Sequence, residues 1–306
     1  MSATPIVTLQ DFRKTYGTFT AVDGISFDIH EGEIFGLLGP NGAGKTSTLE
    51  CLEGLRRPDG GTMKIAGLDP AADSLKLRNL IGVQLQAAGL PESITPREAM
   101  RLFCSYHNAA PRYDLLERLG ISEKSQTQFY ELSAGQQRRL VLALAVAHDP
   151  KVLFLDEPTA GLDVASRVEL HSLMKELQAR GTTILLATHD MAEAEDMSDR
   201  VAILLKGRLA AIGTPMQITA TGAGLTRISV RTECDSLLHP VITFPSVQHF
   251  KVEEQYIIYF SQNVGATLAD IIASINLHKD TIIDLRVERP SLEDRFLEIT
   301  SRGGVR

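Results

Sequence analysis

Gly39-Pro40-Asn41-Gly42-Ala43-Gly44-Lys45-Thr46 is the stretch on which the reading of this 306-residue chain turns. It follows the short apolar run Ile34–Leu38 and opens a helical stretch. Strand, glycine-rich loop and helix in this order, with Lys-Thr at the loop's end, is the context in which such a loop holds phosphate. Gly39, Gly42 and Gly44 let backbone N–H groups turn inward onto phosphate oxygens. Pro40, Asn41 and Ala43 complete the cradle, and Ser47 continues it into the helix. That helix adds its positive N-terminal end. Lys45 is placed to reach the β- and γ-phosphates, and Thr46 to hold Mg²⁺.

Two further apolar runs, 152–155 and 183–187, are each followed by polar residues, and helical stretches span 135–148 and 164–180. Short apolar runs bounded by turn signals read as buried parallel strands, and their alternation with helices predicts an α/β domain. The run at 152–155 ends in Asp156-Glu157. An acid at such a strand end can support Mg²⁺, here assigned to Asp156, and the next can orient and polarise the attacking water, here assigned to Glu157. Thr95-Pro96-Arg97-Glu98 reads as a helix start, with Thr as cap and Glu reaching back, and from there to about residue 131 the pattern is helical without a strand. After Gly213-Thr214-Pro215 the character changes. Alternating runs at 225–231 and 256–260, a helical run at 266–276, a strand at 281–287 and a last helix after Pro290 predict a small α+β unit of ferredoxin-like topology, beginning near residue 220.

Composition narrows the function classes. The chain is 43% hydrophobic and 23% charged, with 31 Lys and Arg against 38 Asp and Glu, a net charge of -7. That apolar share suits a folded chain of two domains, and the charge balance argues against a non-specific nucleic-acid binder. Cys51, Cys104 and Cys234 are odd in number and far apart, so neither a disulfide framework nor a metal spacing is expected; all three are expected in the core of a chain kept reduced. Residues 1–10 lack a signal-like apolar stretch, and the longest clean apolar run, 140–147, is far short of a bilayer span. Any action at a membrane is expected to need a second chain with the spans.

Leu132-Ser133-Ala134-Gly135-Gln136, upstream of Asp156, resembles the signature of ATP-binding cassette (ABC) ATPases, and the rest of that family's motifs stand in the expected order across residues 6–215. The resemblance implies ATP and Mg²⁺ as cofactors and a P-loop ABC ATPase domain at 1–219, with a helical subdomain at about 87–131, followed by the small α+β domain at 220–306. It places Tyr16 against adenine, with Phe19 as its rival. It gives Gln86, with Gln84 close by, the role of sensing Mg²⁺ and the membrane partner. His189 would contact the γ-phosphate. Gly161-Leu162-Asp163 would cross to a second subunit. Ser133, Gly135 and Gln136 would complete the neighbour's site, so that ATP joins two copies of the chain. The usual signature has glycine where this chain has Ala134, which matters only if the backbone there needs a positive φ or a close approach.

Arg289-Pro290-Ser291-Leu292-Glu293-Asp294-Arg295-Phe296-Leu297-Glu298-Ile299-Thr300 resembles the closing motif of antibiotic and multidrug exporter ATPases, with an arginine at 295 where an apolar residue is more usual. Ser291 can cap that helix, with Glu293 and Asp294 against its dipole and Leu292, Phe296 and Ile299 on one face. In the family, the segment from about 87 to 106, here with Leu90, Ile94 and Phe103, receives a helix of the membrane subunit. The resemblance therefore implies the ATP-hydrolysing subunit of a membrane exporter of drug, antibiotic or other hydrophobic cargo. It would work as a homodimer on the cytoplasmic face, docked to separate permease subunits. A soluble regulatory ATPase acting on a cytosolic partner, or an importer subunit, is the alternative.

Overall fold

The computed structural model describes residues 5–84, 89–220, 225–238 and 241–302. They divide into two compact units, Met1–Pro215 and Met216–Arg306.

The first unit begins with β1 (Pro5–Tyr16) and β2 (Phe19–His30), followed by β3 (Ile34–Leu38), α1 (Lys45–Leu52), β4 (Gly60–Ile65), the single turn α2 (Ser74–Leu77) and β5 (Ile81–Gln84). α3 (Pro96–Tyr106), α4 (Tyr113–Arg118) and α5 (Ala134–Val146) come next. β6 (Val152–Asp156), α6 (Val164–Ala179), β7 (Thr183–Thr188), α7 (Met191–Met197), β8 (Arg200–Leu205) and β9 (Arg208–Gly213) complete it, before α8 (Pro215–Ala220). Six strands form one sheet in the order β5-β6-β7-β3-β8-β9, parallel except for β9. A separate antiparallel sheet has the order β2-β1-β4.

The parallel strands read as unbroken apolar runs because both faces are covered. Ile34, Leu153, Leu155, Ile184 and Leu186 face a core shared with α3, α4, α5 and α6. Phe35, Leu37, Phe154, Leu185 and Ala187 face a second core shared with α1 and the antiparallel sheet. From 89 to 131 the described residues contain helices and 3₁₀ turns but no strand. The capping box that starts α3 has the Glu98 N–H donating to Thr95 Oγ1 (3.3 Å) and the Thr95 N–H donating to Glu98 Oε2 (3.0 Å). Among the described residues no helix is long and apolar enough to cross a membrane.

The second unit holds β10 (Thr226–Thr232), β11 (Val247–Glu253), β12 (Tyr256–Ser261), α9 (Val264–Leu277), β13 (Ile282–Glu288) and α10 (Leu292–Arg302). Its sheet, β11-β12-β10-β13, is antiparallel throughout, which is the ferredoxin-like order. The link from β10 to β11 carries no helix among its described residues; Leu237, Leu238, Ile242 and Phe244 pack there instead, in a core that includes Ile271 and Ile275 of α9. The Asp294 N–H donates to Ser291 Oγ (3.1 Å), capping α10; Leu292 is buried, and Arg295 pairs with Glu298 at 2.6 Å. Cys51 and Cys104 are core residues, but Cys234 is exposed, contrary to the sequence expectation. It lies in the turn after β10, where its N–H donates to Asp280 Oδ1 (2.9 Å), rather than on the strand's inner face.

Candidate functional site

Parallel strands deliver the site. Leu38 pairs with Thr188 across β3 and β7, and Asp156 with Ala187 across β6 and β7. The residues that follow these strand ends therefore emerge side by side at the carboxyl edge of the sheet, where ligands of open α/β sheets bind. They are the loop from Gly39, then Glu157, then His189.

Gly44 stands at the N-cap of α1 with a φ of 103°, which excludes most side chains, and a Cβ there would stand 2.7 Å from the Ala21 carbonyl oxygen. The loop is thus pressed against β2 while the first N–H groups of α1 have no intrahelical partners. The buried Lys45 donates from Nζ to the Gly39 carbonyl (2.7 Å), and its Nζ is 3.8 Å from Glu157 Oε1. Burial lowers the Lys45 pKa, against the pull of the Glu157 and Asp156 charges, which raise it. The Thr46 hydroxyl donates to Asp156 Oδ2 (3.1 Å). Burial raises the Asp156 pKa, and the bond from Thr46 partly offsets the shift. Together they form a pair of hard oxygen donors suited to Mg²⁺.

Glu157 occupies the left-handed region at φ 50° and is held by its N–H to the Ala187 carbonyl (2.9 Å). A strained non-glycine backbone at a strand end marks a position fixed by its surroundings. The Glu157 side chain is 10% exposed, and its Oε2 accepts from His189 Nδ1 at 2.7 Å. His189 is the more open partner, at 59%. Beyond it, Asp190 caps α7 by accepting from the Glu193 N–H (3.0 Å), and buried Glu193 accepts from His171 of α6 at 3.0 Å.

A cavity of about 350 Å³ lies over the loop, lined by residues 40–47, Asp156, Glu157, Ala21 and both candidate aromatics. Tyr16 donates from its hydroxyl to Ser47 Oγ (3.3 Å), and the Arg56 guanidinium and Lys14 ammonium lie 5.3 and 5.4 Å from its ring centre. Phe19 has no such anchors among the described residues and is 60% exposed against 37% for Tyr16. Sequence reasoning missed Arg56, which belongs to no motif.

The signature residues do not line this cavity. Ser133 and Ala134 are exposed at the start of α5, where the Gln136 N–H donates to Ser133 Oγ (3.3 Å) and the Ser133 N–H donates to Gln136 Oε1 (2.9 Å). Ala134 is not among the residues of positive φ, so its methyl group is unstrained. Gly135 sits beside Leu162, 3.6 Å from where its Cβ would be. Asp163 caps α6 by accepting from the Ser166 N–H at 2.9 Å. Gln86 lies outside the described residues; Gln84 ends β5 almost fully buried.

Comparison with known proteins identifies the family. The family model described as ABC transporter matches residues 22–160. The Nod factor export ATP-binding protein I of Ralstonia nicotianae is 33% identical, over 99% of this chain and 96% of its own. The linearmycin resistance ATP-binding protein LnrL of Bacillus subtilis is 30% identical over 96% and 97%. A dimeric ATP-binding cassette in a post-hydrolysis state, bound to ADP and Pi, superposes with a TM-score of 0.63 at 28% identity, over 68% of this chain and 98% of that one. The chain therefore belongs to the ATP-binding subunits of ABC transporters, enzymes that hydrolyse ATP to drive transport.

Proposed function

We propose that this chain powers an exporter of hydrophobic cargo, drug or antibiotic among them, as a homodimer on the cytoplasmic face of a membrane, docked to separate permease subunits. The observation that carries the dimer is the position of Ser133. It stands exposed at the N-terminus of α5 and outside the cavity over its own phosphate loop. Helix N-termini bind anions, so a second copy could present this end to the γ-phosphate. The dimeric relative bound to ADP and Pi supports that arrangement, and the names of the two similar ATP-binding proteins support export.

In this reading Lys45 and the loop N–H groups hold the β- and γ-phosphates, and Tyr16 carries the adenine. Thr46 and Asp156 would hold Mg²⁺, with Gln86 as a further ligand, and the ion would supply charge neutralisation on the phosphates. Glu157 accepts a proton from water as its oxygen bonds to the γ-phosphorus and the bridge to ADP breaks. His189, fixed by Glu157, donates to the γ-phosphate. Loss of those contacts after hydrolysis loosens the dimer.

The test combines two measurements. Sedimentation of the purified chain with ATP should show a dimer that dissociates as ATP is consumed. Purification of the tagged chain from detergent-solubilised membranes should bring down a stoichiometric multi-span protein. A chain that stays monomeric with ATP in both its free and its membrane-bound form defeats the dimer, and recovery only from the soluble fraction defeats the transporter assignment.

A further inference from the structure

A second cavity, of about 340 Å³, opens between β5, α3 and α5, away from the phosphate loop. Its walls are largely apolar, among them Ile81, Val83, Leu90, Phe103 and Leu144, and its rim carries Leu55 and Tyr106, each 59% exposed. Two buried polar atoms there have no hydrogen-bond partner among the described residues: Glu53 Oε2 and His148 Nδ1. Buried orphan atoms of this kind are few in folded proteins, and each asks for an explanation.

His148 Nδ1 is an acceptor, and Glu53 Oε2 is one when its carboxyl ionises. His148 donates from Nε2 to the Ile81 carbonyl (3.0 Å), which leaves Nδ1 as a lone pair, and burial keeps the ring neutral by lowering its pKa. The His107 ring stacks on it, with centroids 3.9 Å apart. Glu53 follows the last residue of α1, at the helix end that disfavours negative charge. Burial pushes its carboxyl up to about 8, and the Asp156 and Glu50 charges add to the shift. The cavity's own cation, Arg78, is engaged by the Tyr106 hydroxyl. An apolar slot with one inward acceptor, and beside it a buried carboxyl that an arriving cation would ionise, is complementary to a long aliphatic side chain ending in a cationic donor.

We propose that Glu53 is the charge anchor of this groove and receives an arginine or lysine side chain from the membrane subunit. The proposal rests on the transporter reading above and adds the chemistry of the contact. The apolar stem of the cation would lie along Ile81, Val83 and Phe103. Its head would satisfy Glu53, with His148 as a second acceptor. A desolvated pair of this kind, once one partner is truncated, loses about 30-fold or more in association.

The experiment uses the full chain with p-benzoylphenylalanine at position 55 or 106, cross-linked in cells by light. The attached peptide is identified by mass spectrometry. In parallel, binding of the unmodified chain and of Glu53→Gln to inverted vesicles, from cells lacking this chain, is measured by flotation. The expected result is a cross-linked segment of a multi-span protein that contains Arg or Lys, and vesicle binding weakened about 30-fold in Glu53→Gln. Glu53→Arg should abolish binding, and reversing the partner's base to Glu should restore it. Melting temperature and basal ATP turnover of Glu53→Gln serve as folding controls and should match the parent. A cross-linked segment without a base, or undiminished binding by Glu53→Gln, overturns the anchor while leaving the transporter reading intact. Cross-links only to a second copy of this chain, or no vesicle binding by the parent, overturn both.

Discussion

Glu157→Gln isolates the proton-accepting role because it changes charge and almost nothing else. The amide has the carboxylate's volume, and it can still pair with His189 Nδ1, now 2.7 Å from Oε2. Lys45 loses one anionic neighbour at 3.8 Å but keeps Asp156, so the phosphate loop should hold its shape. Asp156 is not free to substitute as base: the Thr46 hydroxyl occupies one of its oxygens, and in the proposed site the carboxylate serves Mg²⁺. Losing a positioned general base slows a reaction by about 10²–10⁴-fold, or roughly 3–5 kcal/mol in the barrier. We therefore expect turnover at saturating ATP to fall at least about 100-fold. ATP affinity should change by no more than about threefold, on the order of 0.7 kcal/mol. The melting temperature should stay within about 2 °C. Phosphate release, equilibrium ATP binding and thermal melting read these three outcomes, and sedimentation with ATP should show a dimer that persists. Turnover within tenfold of the parent would remove Glu157 from the proton transfer. A large fall in ATP affinity would mean that its charge serves binding instead.

Lys45→Ala should weaken ATP binding by about 30-fold or more, since it deletes a buried cation over the loop; unchanged affinity by titration calorimetry would count against the loop's assignment. Ala134→Gly should alter turnover by less than about threefold, because Ala134 begins α5 without a positive φ and loses only helix propensity there. A hundredfold fall in steady-state turnover would contradict that geometry. Tyr16→Ala should weaken ATP binding by about 5- to 100-fold, the worth of one base stacked on an aromatic ring, while Tyr16→Phe, which loses only the 3.3 Å bond to Ser47, should stay near the parent. If Phe19→Ala shows the larger loss in the same titration, the adenine belongs to Phe19.

The parts of the fold legible in the sequence were those with a local physical cause. β3, β6 and β7 are covered on both faces and so read as solid apolar runs. α3, α5 and α6 begin at Thr95, Ser133 and Asp163, whose side chains accept from N–H groups three residues on. β1 and β2 escaped because register shifts around Leu9 and Phe12, with Asp11 at φ 49°, break the period of two. β11 escaped because nearly all its residues are exposed and leave no apolar pattern. At the site, residue types and their order were legible; contacts across long separations were not. The Thr46–Asp156 bond spans 110 positions, and Arg56 and Glu53 belong to no motif that would mark them.

α5 spans 13 residues, a rod about 20 Å long, and in the proposed dimer docked to its membrane subunit the two ends have different duties. Ser133 and Gln136 stand at one end, while Val141, Leu144 and Ala145 wall the groove toward the other, with His148 just beyond. Such a rod is a lever. A tilt of about 10° pivoting at the groove carries its far tip through about 3 Å, one hydrogen-bond length. In the proposed dimer, engagement of the tip with phosphate and the angle of the segment proposed for the groove would be set by the same rigid body, so that neither would change without reporting to the other.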